Sequence, residues 1–144
     1  MNPSTSWLFW TLLSAFLAAL TAVFAKVGLK DVDSVLATSI STVVIFVILI
    51  GSLIFTEQWR DAFELKLKTW LFLSLSGAAT VASWICYFRA LKIGDASKVG
   101  PVDKFSLVIV FLLAVIFLGE RPAAREWMGI ALMAGGVLLM ATKS

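Results

Sequence analysis

The sequence predicts an all-α integral membrane protein of five transmembrane helices. Three observations predict it. Hydrophobic residues make up 60% of the 144 positions, and the mean hydropathy is +0.98, whereas soluble domains hold about 45–50% apolar residues. The charged residues gather in short stretches between long apolar runs, with no soluble-domain-sized segment among them. Those runs are near the roughly 20 residues a helix needs to cross the hydrocarbon.

The first helix is placed at about residues 7–27. Residues 1–25 carry no charged side chain, so the basic start of a signal peptide is missing and the helix reads as retained. Ser14, Ala18, Ala22 and Lys26 recur every fourth residue, a row of small side chains ending in a charge. Small residues let helix backbones approach closely in lipid. The second helix is placed at 34–56, with Ser34 expected as its N-cap. Thr38, Ser39, Ser41 and Thr42 make its start polar, and their hydroxyls can bond back to carbonyls or across to another helix.

From Glu57 to Lys68 the chain is charged, with Phe63, Leu65 and Leu67 suggesting a short interfacial piece. The third helix, 69–92, carries an unbroken small-residue row at Ser74, Ala78, Ala82, Cys86 and Ala90, which reads as a packing face. Gly94 is expected to end it and Asp95 to cap the fourth helix, 96–118. Gly119 is expected to close the fourth helix, and Pro122 to sit in the first turn of the fifth, 122–142. Gly129, Ala131, Gly135 and Gly136 favour close packing there.

The fourth helix holds the chemistry most out of place in a membrane. Its charge-free part, Phe105 to Gly119, is only 15 residues long, so a span must recruit Pro101, Asp103 and Lys104. Asp103 and Lys104 would lie about 10–12 Å into a continuous helix, pointing about 100° apart and unable to face one groove. Charges inside a span are costly and usually mark function. Lys104 either snorkels to the headgroups or enters a cavity. Asp103 either pairs with Arg89 or Lys26 or binds a polar substrate or proton. Pro101 either kinks the helix, freeing the Ser97 carbonyl, or lies in the first turn of a later-starting helix. Broken helices at this depth line cavities or are buried in protein. Trp84 and Tyr87 are candidates for an aromatic cavity wall, and Thr38, Ser41 and Thr42 for its hydroxyls. Glu120 is expected to pair with Arg121 or Arg125 in a structural turn, Gly119-Glu120-Arg121-Pro122.

The composition also excludes. The single Cys rules out an intramolecular disulfide, and no His is present. Neither a metal or cofactor site nor an enzyme's nucleophile–base pair is expected. The net charge of +3 is spread over short loops and is no nucleic-acid signal. Five helices put the termini on opposite sides. Apart from Lys104, Lys and Arg then divide five to six. Arg60, Lys66, Lys68, Arg121 and Arg125 fall on one side; Lys26, Lys30, Arg89, Lys92, Lys98 and Lys143 fall on the other. Cytoplasmic loops normally hold a clear excess. Either one or two charges near the ends set a single orientation, or copies insert both ways and pair antiparallel.

The segments Tyr87-Phe88-Arg89-Ala90-Leu91, Gly94-Asp95-Ala96-Ser97 with Pro101, Phe117-Leu118-Gly119-Glu120-Arg121-Pro122 and Trp127-x-Gly129 together resemble an EamA module of the drug/metabolite transporter superfamily. The resemblance covers the whole chain. It implies a secondary transporter, an exporter of a small polar or amphipathic metabolite, in a prokaryotic inner (plasma) membrane. Familiar members join two such modules as an inverted repeat, with the cavity between them. A single module implies an antiparallel, dual-topology homodimer working by alternating access, or a half that pairs with a different chain without transporting by itself. Short relatives are also expected to carry an Arg near Ser41. Ser stands here, so no substrate-charge argument rests on that position.

Overall fold

In the computed structural model, which describes residues 3–142, the chain is helical. Lys143, part of the charge count above, lies outside the described residues. The elements are α1 (Pro3–Gly28), α2 (Ser34–Phe55), a 3₁₀ segment (Gln58–Glu64), α3 (Leu67–Ile93), α4 (Ala96–Asp103), α5 (Phe105–Phe117) and α6 (Ala124–Ala141). Five stretches are long and apolar enough to cross a membrane: Thr5–Gly28, Ser34–Phe55, Leu67–Ile93, Ala96–Phe117 and Ala124–Ala141. The shortest has 18 residues, about 27 Å at 1.5 Å per residue, against a hydrocarbon core of about 30 Å.

One of these helices is rich in residues that suit helices poorly in water. Thr, Val and Ile crowd α2, yet it runs unbroken from Ser34 to Phe55. In lipid the backbone has no water to bond, so the helix is imposed whatever the side-chain propensity. The hydroxyls are satisfied in the same way. Thr11, Thr21, Thr38, Ser39, Thr42, Ser52 and Thr80 each donate to the carbonyl four residues earlier, at 2.7–2.9 Å. Among the described residues no buried side-chain polar atom lacks a partner.

The chain divides into two compact units. One comprises Phe24–Ile93; within it α2 lies along α3 and touches the 3₁₀ segment. The other takes the chain up to Val23 and from Gly94 onward; within it α6 lies against both α4 and α5. The buried residues of the described chain all belong to the first unit: Leu29, Ser34, Thr38, Phe88 and Leu91. They join the end of α1, the start of α2 and the end of α3.

Two lysines tie those ends together. Lys26, in the last turn of α1, donates to the carbonyl of Leu91. That carbonyl is one of the last four of α3, which have no partner inside the helix. Lys92, in the last turn of α3, donates to the carbonyl of Val32 at 3.0 Å, in the turn after α1.

Three local expectations change. Asp33, not Ser34, caps α2: its carboxylate accepts from the N–H of Val35 at 3.0 Å, with its backbone extended at φ −67° and ψ 145°. A carboxylate one residue earlier reaches the orphan N–H, and Ser34 is left as the first helical residue. Asp95 holds the N-cap position of α4, but through its carbonyl, which accepts from Lys98 and Val99; its side chain makes no capping bond. As expected, Gly94 follows the last residue of α3, Ile93, and Gly119 closes the fourth span in the left-handed region at φ 66°. Pro122 precedes α6, which begins at Ala124. There the carboxylate of Glu126 accepts from the N–H of Ala123 at 2.7 Å and fixes the helix start two residues later than expected.

Candidate transport site

The fourth span is broken where the sequence placed its charges. Pro101 lies inside α4, which ends at Asp103, and α5 starts at Phe105. With no N–H on Pro101, the carbonyl of Ser97 loses its i+4 donor. Three residues further on, the N–H of Lys104 bonds the carbonyl of Pro101 at 3.1 Å, three positions back instead of four. The carbonyl of Lys104 then accepts from Leu107, again three apart, at 2.9 Å. The span therefore tightens into a 3₁₀-like turn at Lys104, a geometry often found at functional hinges. Pro101 is interior to a helix that starts at Ala96, so the later-starting helix is overturned.

The two charges nonetheless meet. Asp103 and Lys104 form an ion pair, Oδ2 to Nζ at 3.6 Å. Their side chains are 36% and 53% exposed, respectively. Neighbours stand about 100° apart on an α-helix and about 120° apart in a 3₁₀ turn, so the long lysine side chain bends back to close the pair. Together the two are neutral, which lowers the cost of placing either in a membrane.

The remaining candidates fall in the Phe24–Ile93 unit. Thr38 is only 3% exposed, and its hydroxyl donates to the Ser34 carbonyl at 2.7 Å. It is therefore a packed residue in this structure. Ser41 and Thr42 are half-buried one turn later, with Thr42 donating to the Thr38 carbonyl at 2.8 Å. Trp84 and Tyr87 are half-buried on α3 and Arg89 is exposed. The Tyr87 ring lies 6.3 Å from the buried Phe88. Lys26 is half-buried and committed to Leu91.

At the far end of the fourth span, Gly119 turns the chain in the left-handed region and the N–H of Glu120 reaches back to the Ala114 carbonyl at 3.3 Å. Glu120 makes no ion pair with Arg121 or Arg125 among the described residues, which corrects that expectation. Just beyond, Phe111 meets Trp127 edge-on at 5.0 Å, holding α5 to α6. Sequence reasoning missed Asp33, Lys92 and Glu126. The signals were present: a carboxylate before an apolar run, a lysine in a last helical turn, and a Glu three residues after a helix start.

Five helices long and apolar enough to cross a membrane define the class as a multi-pass membrane protein. The EamA-like transporter family profile matches residues 5–142, and the chain belongs to that family. It is 54% identical over 138 residues to an "uncharacterized transporter in cobO 3'region" of Sinorhizobium sp, covering 96% of this chain and 98% of that one. Shorter stretches are similar to a probable 4-amino-4-deoxy-L-arabinose-phosphoundecaprenol flippase subunit ArnE. In Yersinia pestis the identity is 36% over 56 residues, 39% of this chain and 49% of the relative. In Pseudomonas fluorescens it is 30% over 89 residues, 58% and 75%. No solved structure matches the chain significantly. The bacterial relatives and the five apolar helices make it a multi-pass integral membrane protein.

Proposed function

We propose that this chain is half of a secondary transporter and forms an antiparallel, dual-topology homodimer in a bacterial inner membrane. It exports a small polar or amphipathic metabolite by alternating access. The observation that carries the reading is the small-residue row of α3. Ser74, Ala78, Ala82 and Cys86 are all exposed in the single chain, and only Ala90 at its end is half-buried. Such a row suits the close approach of another helix, which a second copy would supply. The near-even division of Lys and Arg supports insertion both ways.

At the site, Asp103 and Lys104 bind substrate or a coupling proton by exchanging partners, with the Pro101 break freeing the Ser97 carbonyl beside them. Ser41, Thr42, Trp84, Tyr87 and Arg89, in the Phe24–Ile93 unit, are separate candidates for contact with a polar substrate, and the Gly119–Pro122 turn is structural. Rocking of two inverted halves about that site gives alternating access.

The second reading is a subunit that pairs with a different chain. It is favoured by the relatives whose printed name is flippase subunit. Purified chain alone in liposomes separates the two. The homodimer reading expects substrate movement by that one polypeptide; movement only after a second chain is added supports the subunit reading.

A further inference from the structure

The 3₁₀ segment is tethered to two membrane spans by very little chain. Only Thr56 and Glu57 separate it from the end of α2, and only Leu65 and Lys66 from the start of α3. Two residues reach at most about 7 Å. The headgroup layer on each side of the hydrocarbon is about 5–8 Å deep. Gln58–Glu64 therefore lies within that layer by chain reach alone. Glu57, at φ 56°, makes the sharp turn that lays the segment down immediately after α2.

The segment's charges are sorted by its geometry. Side chains three apart eclipse in a 3₁₀ helix. Gln58, Asp61 and Glu64 make one row, Trp59 and Ala62 a second, and Arg60 and Phe63 a third. The acids thus stand apart from the Arg60–Phe63 row, although the segment itself sums to −1. None of Arg60, Lys66 and Lys68 has a carboxylate within 4.0 Å among the described residues. Arg60 instead lies over the Trp59 ring, 5.5 Å from its centroid. Phe63 and Leu67, both apolar, are 84% and 85% exposed.

We infer that Trp59–Lys68 is a lipid-binding platform that grips the phosphates of anionic phospholipid headgroups. Arg60, Lys66 and Lys68 meet the phosphates, while Phe63 and Leu67 insert beneath them. The acidic row faces water. Aromatic side chains favour this depth, and cations near an anionic surface are each worth about 1 kcal/mol. The cation–π contact holds Arg60 beside the aromatic ring that anchors it. This assignment stands independently of the transport reading.

The test places a fluorophore in the platform and asks what surrounds it. Phe63→Cys in a Cys86→Ser background, labelled with an environment-sensitive dye, is reconstituted in phosphatidylcholine vesicles with and without phosphatidylglycerol. Nitroxide-bearing lipids should quench the dye and aqueous iodide should not. In detergent, the chain should retain phosphatidylglycerol over phosphatidylcholine. Each of Arg60→Gln, Lys66→Gln and Lys68→Gln should weaken that retention about fivefold, while Lys30→Gln, in another loop, leaves it unchanged. Arg60→Lys keeps the charge and should keep most of the retention. Quenching by iodide, equal retention of both lipids, or shielding of the dye by a second polypeptide would each overturn the assignment. The quenching arm decides even if a glutamine variant does not fold.

Discussion

The ammonium of Lys26 is bonded to the carbonyl of Leu91, 65 positions later in the chain. One lysine thus closes the open end of α3 and joins it to α1. Lys92 returns the favour at the Val32 carbonyl. Around these bonds lie the buried residues Leu29, Phe88 and Leu91. The clamp is the best-packed part of the Phe24–Ile93 unit.

Removing its centre should weaken the fold. Lys26→Met keeps the apolar stem and loses the charged hydrogen bond, a loss of about 1.5–3 kcal/mol. Thermal unfolding in detergent should show a lowered midpoint. Lys92→Met, whose head group is exposed, should lower it less. Equal midpoints for Lys26→Met and the native chain would show that the bond is incidental.

The five spans were legible because long apolar runs with charged interruptions leave no other stable backbone in lipid. The clamp was not, because Lys26 and Leu91 are far apart in sequence and lysine near a helix end equally reads as a headgroup contact. The helix break was half legible. Pro101 announced a disturbance, but its effect surfaced at Lys104, because the carbonyl it orphaned lies at Ser97 and the ladder repairs itself further on. The contact of Asp103 with Lys104 was not legible either, because spacing on an ideal helix ignores how far a lysine side chain can bend back to its neighbour. The start of α6 slipped past Pro122 to Ala124 because Glu126 reaches back to Ala123, one residue beyond the proline.

Gly119 is required by its backbone and not by crowding. Its φ is 66°, and a Cβ placed there would meet nothing within 4 Å. Gly119→Ala should therefore cost about 1 kcal/mol, through conformation alone. Gly119→Asn should cost less, because Asn tolerates the left-handed region. Unfolding midpoints for the two variants check the order, and an alanine variant as stable as the native chain contradicts it.

Pro101→Ala restores the N–H that Ser97 lacks. The fourth span should straighten and the protein should gain about 1–3 kcal/mol. Spin labels at Val99 and Val110, on either side of the break, should move apart. If the break serves transport, the stabilised variant should transport more slowly; an unchanged label distance would place the cause of the break elsewhere.

The ion pair gives the next test. Asp103→Asn leaves Lys104 without its counter-charge and should reduce transport about tenfold or more, on the scale of a lost charge-assisted bond. The exchanged variant Asp103→Lys with Lys104→Asp should recover folding but not transport. Recovery of both would make the pair structural only.

The account's central claim is that a single five-span chain completes itself with an inverted copy. A topology reporter fused after Ser144 measures this most directly. The account predicts reporter activity on both sides of the membrane, from one gene expressed alone. Activity confined to one side, with the chain still forming homodimers, would contradict it.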